Sequence, residues 1–201
     1  MQTVFERVSK WNAARYDQEF NLELAEKLLR EEYAKEWLQH MSSYICSLDV
    51  EELEVKLLDD LADITYVAFG VCWKIGADWD DIAAAMTRTL QPVTNSLDTW
   101  TQIRPGFFIG GLIDAFVHDH ELGVIDAMTM IITCCMAEAT YTLQLSVSDF
   151  EAACLAVCDS NDSKSIKKVA SDVKANAGDK GPYYVAPEAA LKQILERRNA
   201  E

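Results

Sequence analysis

Glycine and proline, the residues that most often interrupt regular secondary structure, are scarce in this chain. Only eight Gly and four Pro occur among 201 residues. The long segments between them show helical periodicity, and none shows the strict alternation of a half-buried strand. The sequence therefore predicts an all-α protein, a bundle of about six to eight helices. Half of the residues are apolar, which suffices for a single domain with a sizeable core over residues 1–201.

Positive charge is also scarce. The chain has 18 Lys and Arg against 33 Asp and Glu, a net charge of −15. Nucleic-acid binding needs clustered Lys and Arg, so we expect no nucleic-acid partner. Eight of the 18 basic residues lie at or after Lys164. This asymmetry can place metal-binding acids and phosphate-binding lysines on opposite sides of one ligand, although a basic terminal helix on an ordinary surface is the alternative.

Several common sites and signals are absent from the sequence. The six Cys lack zinc-site spacing and lie mostly among apolar residues, so we expect reduced core thiols. No glycine-rich P-loop occurs, and no Ser or Cys has a nucleophile motif. Residues 1–11 are too polar for a signal peptide. Asp114 and Asp126 interrupt the apolar runs 107–117 and 124–137, which predicts buried helices rather than membrane spans. We therefore expect a cytoplasmic protein without a membrane partner.

Periodicity and capping residues set the expected element boundaries. Asn21 is expected to cap the first acidic helix, Ser47 or Asp49 the second, Asp78 the helix after it, and Ser148 or Asp149 a later one. Gly76 is expected to end the second acidic helix. The predicted helices cover 3–17, 21–45, about 51–75, 78–90 (broken by Pro92), 107–120, 121–145, 148–158 and 187–198. The two acidic helices thus lie within about 21–75, extra helices within about 91–147, and a C-terminal loop within about 159–188. Gly110 and Gly111 are expected to allow close helix–helix contact.

The chain also contains a weak internal similarity. Gly76-Ala77-Asp78-Trp79 and Leu145-Ser146-Val147-Ser148 each follow a long helix and precede a shorter, alanine-rich one. This makes the chain a candidate for internal duplication, although the second copy lacks the acid pair of the first.

Acidic residues fall on the apolar faces of the first two long helices. On a helical wheel Asp60 lies inside an apolar stripe and Asp63 at its edge. Upstream, Glu31 lies between two leucines, while Glu32 and Glu36 share a face. Buried carboxylates are costly unless something neutralises them, and a hard divalent cation such as Mg²⁺ does so. The alternative is a set of half-exposed acids that reach solvent at the stripe edges.

At these residues the chain resembles the all-α nucleoside triphosphate pyrophosphohydrolases, the MazG-like and phosphoribosyl-ATP pyrophosphohydrolase-like group. That family carries Glu-Glu-x-x-Glu on one helix and Glu-x-x-Asp on a later one. Here Leu28-Leu29-Arg30-Glu31-Glu32 and Asp60-Leu61-Ala62-Asp63 are similar to these motifs. A subset of the family adds an Asn and a Lys three residues apart, then Lys-Gly-Pro-aromatic-Tyr. The chain has Asn161 and Lys164, then Lys180-Gly181-Pro182-Tyr183-Tyr184.

The resemblance implies a Mg²⁺-dependent hydrolase, with Mn²⁺ as an alternative cofactor, that cleaves a nucleoside triphosphate to a monophosphate and pyrophosphate. Glu32 or Glu31 would orient the attacking water. A homodimer is an open alternative to a single-chain site, and a non-catalytic helical protein that binds a nucleotide or a partner is the rival function. The resemblance implies metal ligands at Glu31, Glu32, Glu36, Asp60 and Asp63, and substrate contacts from Asn161, Lys164, Lys180, Tyr183 and Tyr184.

Two departures from the family pattern affect the expected ligand set. Lys35 stands where the third acid of the first motif is usual, and Glu36 follows one residue later. Asp60 replaces the usual Glu of the second motif, which shortens its reach. On the wheel Lys35 points towards the core side, where its ammonium would meet the acids or a substrate phosphate. The alternative is that it snorkels to solvent.

Overall fold

The computed structural model describes residues 1–94, 104–119, 122–164, 180 and 182–198, with no description of the side chains of 90–94. Within these ranges the chain contains helices and connections and no strand, which confirms the all-α prediction. The elements are α1 (Gln2–Ala13), α2 (Leu22–Arg30), a π-helical segment (Glu31–Trp37), α3 (Leu38–Cys46), α4 (Glu51–Lys74), α5 (Trp79–Thr94), a 3₁₀ turn (Pro105–Phe107), α6 (Phe108–His118), α7 (Val124–Thr142), α8 (Val147–Ser163) and α9 (Glu188–Arg198). Because α2, the π segment and α3 are continuous, the described residues form eight helices.

Local capping explains several of these boundaries. Asn21 Oδ1 accepts a hydrogen bond from the Leu24 backbone N–H at 2.9 Å, which confirms the predicted cap of α2. Gly76 adopts a φ of 79° just after α4, a conformation that glycine reaches without steric cost. Asp78 caps α5, with Oδ1 accepting from the Asp81 N–H at 2.9 Å.

Other predicted boundaries were wrong. Val50, whose side chain makes no capping bond, precedes α4, while Ser47 and Asp49 bond to each other in the preceding turn. α5 continues past Pro92 to Thr94. α8 starts earlier than predicted, because Ser146 caps it in a reciprocal capping box with Asp149. It also ends later than predicted, at Ser163. Of the predicted C-terminal loop over about 159–188, residues 159–163 belong to α8, and residues 165–179 and 181 lie outside the described residues.

The core forms around the two longest helices. α4 and α7 pack against each other, α1, α3, α8 and α9 pack on α4, and α5 and α6 pack on α7. The continuous helix that contains the π segment lies against α4 and also contacts α6. The first half of the acidic motif is thereby held beside the second.

Two compositional expectations can be compared with this architecture. Five of the six cysteines are buried and free, as expected of core thiols, and only Cys46 is exposed.

α7 is the one helix among the described residues that is long and apolar enough to span a membrane, with a mean hydropathy of 1.3, but 56% of it is buried inside the bundle. A core helix meets the same criteria.

Candidate active site

The first acidic motif lies in the π-helical segment. A π-helix has wider turns than an α-helix. Such segments are rare in proteins, and those that occur are frequently found at functional sites. Tyr33 and Trp37 stack with their ring centroids 5.5 Å apart and face the core. Glu32 and Glu36 each precede one of these aromatic residues, so they share the adjacent face. Glu36, four residues after Glu32, therefore lies on the same face as Glu32 in this segment.

Glycines on the opposite element fix the aromatic face of this segment. A Cβ added to Gly106 would lie 2.3 Å from Trp37, and one added to Gly110 would lie 2.8 Å from Tyr33. The prediction of close contact is thus confirmed for Gly110. It was wrong for Gly111, which has open space around it. With its aromatic side chains held on α6 and the 3₁₀ turn, the π segment has Glu32 and Glu36 turned towards α4.

Three aspartates of α4 face these glutamates. Asp60 is 3% exposed, as the wheel predicted, while Asp59 and Asp63 are partly buried. Burial raises the pKa of Asp60 to about 9, and the negative charges of Asp59 and Glu36 act in the same direction. Burial likewise raises the pKa of Asp63 to about 7, with Glu32 the strongest charged contributor.

Asp59 belongs to this acid cluster and was missed by the sequence analysis. Burial raises its pKa to about 8, helped first by Asp63 and then by Glu188 at the start of α9. Its Oδ1 is buried and has no hydrogen-bond partner. The four-residue spacing from Asp63, which places both carboxylates on one helix face, is the signal that would have found it. No sequence pattern indicated Glu188, because α9 reaches the cluster only through the fold.

His40 is a second missed residue. Its Nδ1 lies 2.7 Å from Asp60 Oδ2, so the imidazole and the carboxyl group share a hydrogen bond. Burial lowers the pKa of His40, and the positive charge of Lys56 lowers it further. A hydrogen bond of this kind orients a carboxylate within a site.

Glu31 is placed differently from the other predicted acids. It is buried, and its Oε1 lies 3.6 Å from the ammonium of Lys35. The charges that act most strongly on the three aspartates include Glu32 and Glu36 but not Glu31. The Lys35 side chain is 71% exposed, so the expectation that it points towards the core was wrong. Its ammonium does meet one of the predicted acids, Glu31, as expected.

The end of α8 supplies the positive charge that faces the cluster. The pKa values of Asp59 and Asp63 are lowered, against the larger effect of burial, by the Lys164 ammonium. Lys164 Nζ donates a hydrogen bond to Asn161 Oδ1 at 2.6 Å. Asn161 is buried, and its backbone carbonyl accepts from Trp11 Nε1 at 2.9 Å. The predicted Asn and Lys thus form a pair beside the predicted acids.

The loop before α9 runs along the same end of α8. Tyr184 OH accepts a hydrogen bond from Ser160 Oγ at 3.3 Å, and the ammonium of Lys180 lies 4.8 Å from the centroid of the Tyr184 ring. Val185 N–H donates to Ser163 Oγ at 2.9 Å. Tyr184 therefore anchors this loop, whereas Tyr183 is 86% exposed. The Gly181 of the motif lies outside the described residues.

The donor set suits a hard cation by its chemistry. Carboxylate oxygens are the ligands that Mg²⁺ prefers, and the orphaned Asp59 Oδ1 is a buried acceptor that a cation would satisfy. In the part of the chain that the structure describes, no three His, Cys, Asp or Glu side chains converge closely enough to hold one ion. Mg²⁺ is commonly bound through one or two carboxylates together with substrate phosphates, so a complete protein cage is not required.

Neither family models nor curated proteins nor solved structures gave a significant match to this chain.

Proposed function

We propose that this protein is a Mg²⁺-dependent nucleoside triphosphate pyrophosphohydrolase of the MazG-like type, with Mn²⁺ as an alternative cofactor. The observation that carries the proposal is the juxtaposition of two sets of residues from distant parts of the sequence. Acids of the π segment and α4 lie beside Asn161 and Lys164 at the end of α8. This is the combination that a metal–triphosphate complex requires, because the metal needs carboxylates and the phosphates need donors.

The proposed division of labour gives the metal to the acid cluster. One or two of Glu32, Glu36, Asp60 and Asp63 would hold the metal together with substrate phosphates, because no three of the described acids converge on one ion. Asp59 adds a fifth carboxylate to the same cluster. When bound, Mg²⁺ supplies charge stabilisation at the phosphate oxygens. Glu32, which lies on the helix that faces Asp63, would orient a water molecule for in-line attack, as the resemblance to the family suggests. His40 would hold Asp60 in a fixed orientation through their 2.7 Å hydrogen bond.

The C-terminal residues would contact the nucleotide. Lys164, which is held by Asn161, would pair with a phosphate. Lys180 lies at the same end of α8 and would contribute a second cation. Tyr183 is the tyrosine exposed enough to stack on a base, since Tyr184 anchors the loop. We expect the protein to act in the cytoplasm on free nucleotides.

Pyrophosphate release from a panel of ribo- and deoxyribonucleoside triphosphates, with and without Mg²⁺ or Mn²⁺, tests the proposal. We expect metal-dependent release of pyrophosphate and a nucleoside monophosphate. Nucleotide binding without turnover would contradict it and favour the rival non-catalytic protein of the same fold.

Two substitutions test the proposed roles of Asp63 and Glu32. Asp63→Asn and Glu32→Gln should each lower kcat/KM by about 100-fold or more, because each removes a charged ligand or base. Both should leave the melting temperature unchanged or higher without metal, because the cluster loses a repelling charge. Glu23→Gln is the matched control, since Glu23 is an exposed acid on the same continuous helix. If Asp63→Asn and Glu32→Gln hydrolyse nucleotides as fast as Glu23→Gln does, the assignment fails.

A further inference from the structure

Two residues share an uncommon backbone conformation at a fixed sequence separation. Among the described residues only Gly76 and Gln144 have a positive φ, at 79° and 54°. Each directly follows the end of one of the two central helices, and they are 68 residues apart. A left-handed residue after a helix is a common way to end it, but a non-glycine residue adopts it at a steric cost. The two helices therefore end in the same way.

The 68-residue offset also relates the surrounding elements. α4 ends at Lys74 and α7 at Thr142, and the next helices begin at Trp79 and Val147. Each of those helices starts with a reciprocal capping box, formed by Asp78 with Asp81 in one half and by Ser146 with Asp149 in the other. The start of α7 does not follow this offset, since α4 begins at Glu51 and α7 at Val124, five residues later than the offset places it. Helix ends commonly vary by one or two residues, so the agreement at the other positions indicates a repeated unit made of the helix end, the connection and the capped start of the next helix.

The packing of the two units is reciprocal. α4 and α7 lie against each other at the centre of the bundle. The helix that follows α7 packs on α4, and the helix that follows α4 packs on α7. The continuous helix before α4 packs on α4, as α6 packs on α7, and these two preceding elements also touch each other. The halves are thus related like two subunits that have exchanged their third helices.

The acids and the basic pair belong to different halves. Asp59, Asp60 and Asp63 lie on α4 of the first half, and Asn161 and Lys164 lie at the end of α8 of the second. The positions 68 residues after the three aspartates are Ala127, Met128 and Ile131, all fully buried. The positions 68 residues before the basic pair are Val93 and Ser96 in the sequence. Neither the three aspartates nor the Asn–Lys pair therefore has a counterpart in the other half.

We infer that the chain is an internally duplicated pseudo-dimer whose one complete nucleotide site forms between its halves, while the equivalent second location has been converted into apolar core. One chain then needs no second copy to complete its site. The identity of the ligand rests on the proposed function. The duplication and the loss of the second site rest on the backbone and the buried residues.

Complementation in trans tests whether the site is made within one chain. Asp63→Asn and Lys164→Ala should each lose most activity, and mixing the two proteins, with unfolding and refolding together, should recover none. Recovery after co-refolding would show that acids and Lys164 come from different chains and would overturn the inference. Absence of activity in the parent protein would instead overturn the proposed function and leave the next two measurements as the test.

Two further measurements do not depend on turnover. Calorimetric titration with Mg²⁺ and a non-hydrolysable nucleoside triphosphate should give one nucleotide per chain, and two would overturn the inference.

The double variant Asp60→Met, Asp63→Ile places the second-half residues in α4. It should melt several degrees higher than the parent, since apolar groups replace repelling buried acids. The reverse change, Met128→Asp with Ile131→Asp, should lower the melting temperature strongly, because it places two carboxylates at fully buried apolar positions. Equal changes in the melting temperature of the two double variants would contradict the inference that the second site has been converted into apolar core.

Discussion

At the scale of single residues, two adjacent glycines of α6 differ in the space that surrounds them. Gly110 lies against Tyr33, whose ring stacks on the fully buried Trp37, so neither ring has room to shift. Gly111 faces open space. The sequence Gly-Gly does not reveal this difference, because it depends on which side of α6 meets the π segment.

We predict that Gly110→Ala destabilises the protein by about 1–3 kcal/mol, because its Cβ would overlap the Tyr33 ring. Gly111→Ala is the matched control and should stabilise by about 0.5–1 kcal/mol, because alanine favours a helix more than glycine does. Urea denaturation followed by circular dichroism gives both free energies of unfolding. Equal stability of the two variants would show that α6 does not approach Tyr33 as closely as described.

At the scale of elements, the π segment accommodates one extra residue without moving its aromatic side chains or its glutamates away from the elements that they contact. Tyr33 and Trp37 face α6 and the 3₁₀ turn. Glu32 and Glu36 face α4, and each pair is four residues apart. A regular α-helix with the same sequence would turn α3 by about 100° relative to α2, because each residue adds that rotation. The segment therefore absorbs the residue by which the motif departs from Glu-Glu-x-x-Glu.

Deleting the exposed Ala34 should convert the π segment to α-helix and leave the fold intact. It would restore Glu-Glu-x-x-Glu, and we expect a melting temperature within a few degrees of the parent and retained metal-dependent activity. Deleting Gln39, an equally exposed residue of the regular α3, is the control. It should lower the melting temperature far more, because it rotates the buried Met41 away from the core. Equal losses from both deletions would show that the extra residue is not absorbed in this segment.

At the scale of the whole molecule, the acid cluster makes stability depend on pH. The pKa values of Asp59, Asp60 and Asp63 are raised to about 8, 9 and 7, well above the values in an unfolded chain. Between the unfolded and folded values the folded protein binds more protons than the unfolded one. The free energy of unfolding must then fall as pH rises through this range. Glu32, Glu36 and Glu188 strengthen this effect, whereas Lys164 weakens it.

We expect the free energy of unfolding without metal to fall between about pH 6.5 and about pH 8.5. This range avoids the opposite contribution of His40, whose pKa is lowered and which titrates below it. Asp63→Asn should reduce the slope, because one of the titrating groups is gone. The measurement is urea denaturation at constant ionic strength. A slope of the opposite sign, or one that Asp63→Asn leaves unchanged, would contradict the placement of these carboxyl groups.

The sequence by itself determined the helical class, the burial of Asp60 and the caps at Asn21, Gly76 and Asp78. These features are local. Helical periodicity assigns a residue to a face, and a cap needs only the three or four residues around it. The cap of α8 was missed although it is local as well, because Ser146 forms a reciprocal capping box with Asp149, whereas Ser148 or Asp149 had been predicted to begin the helix.

Only the tertiary structure decided which faces meet. It placed Lys164 beside Asp63, about a hundred residues earlier in the chain, and paired His40 with Asp60. It also turned Lys35 to solvent through a π segment that a regular helical wheel cannot represent. The physical reason is that periodicity fixes the direction of a side chain relative to its own helix axis. The crossing of α4 by the other helices, which is set by the shapes of many buried side chains together, fixes what that side chain touches.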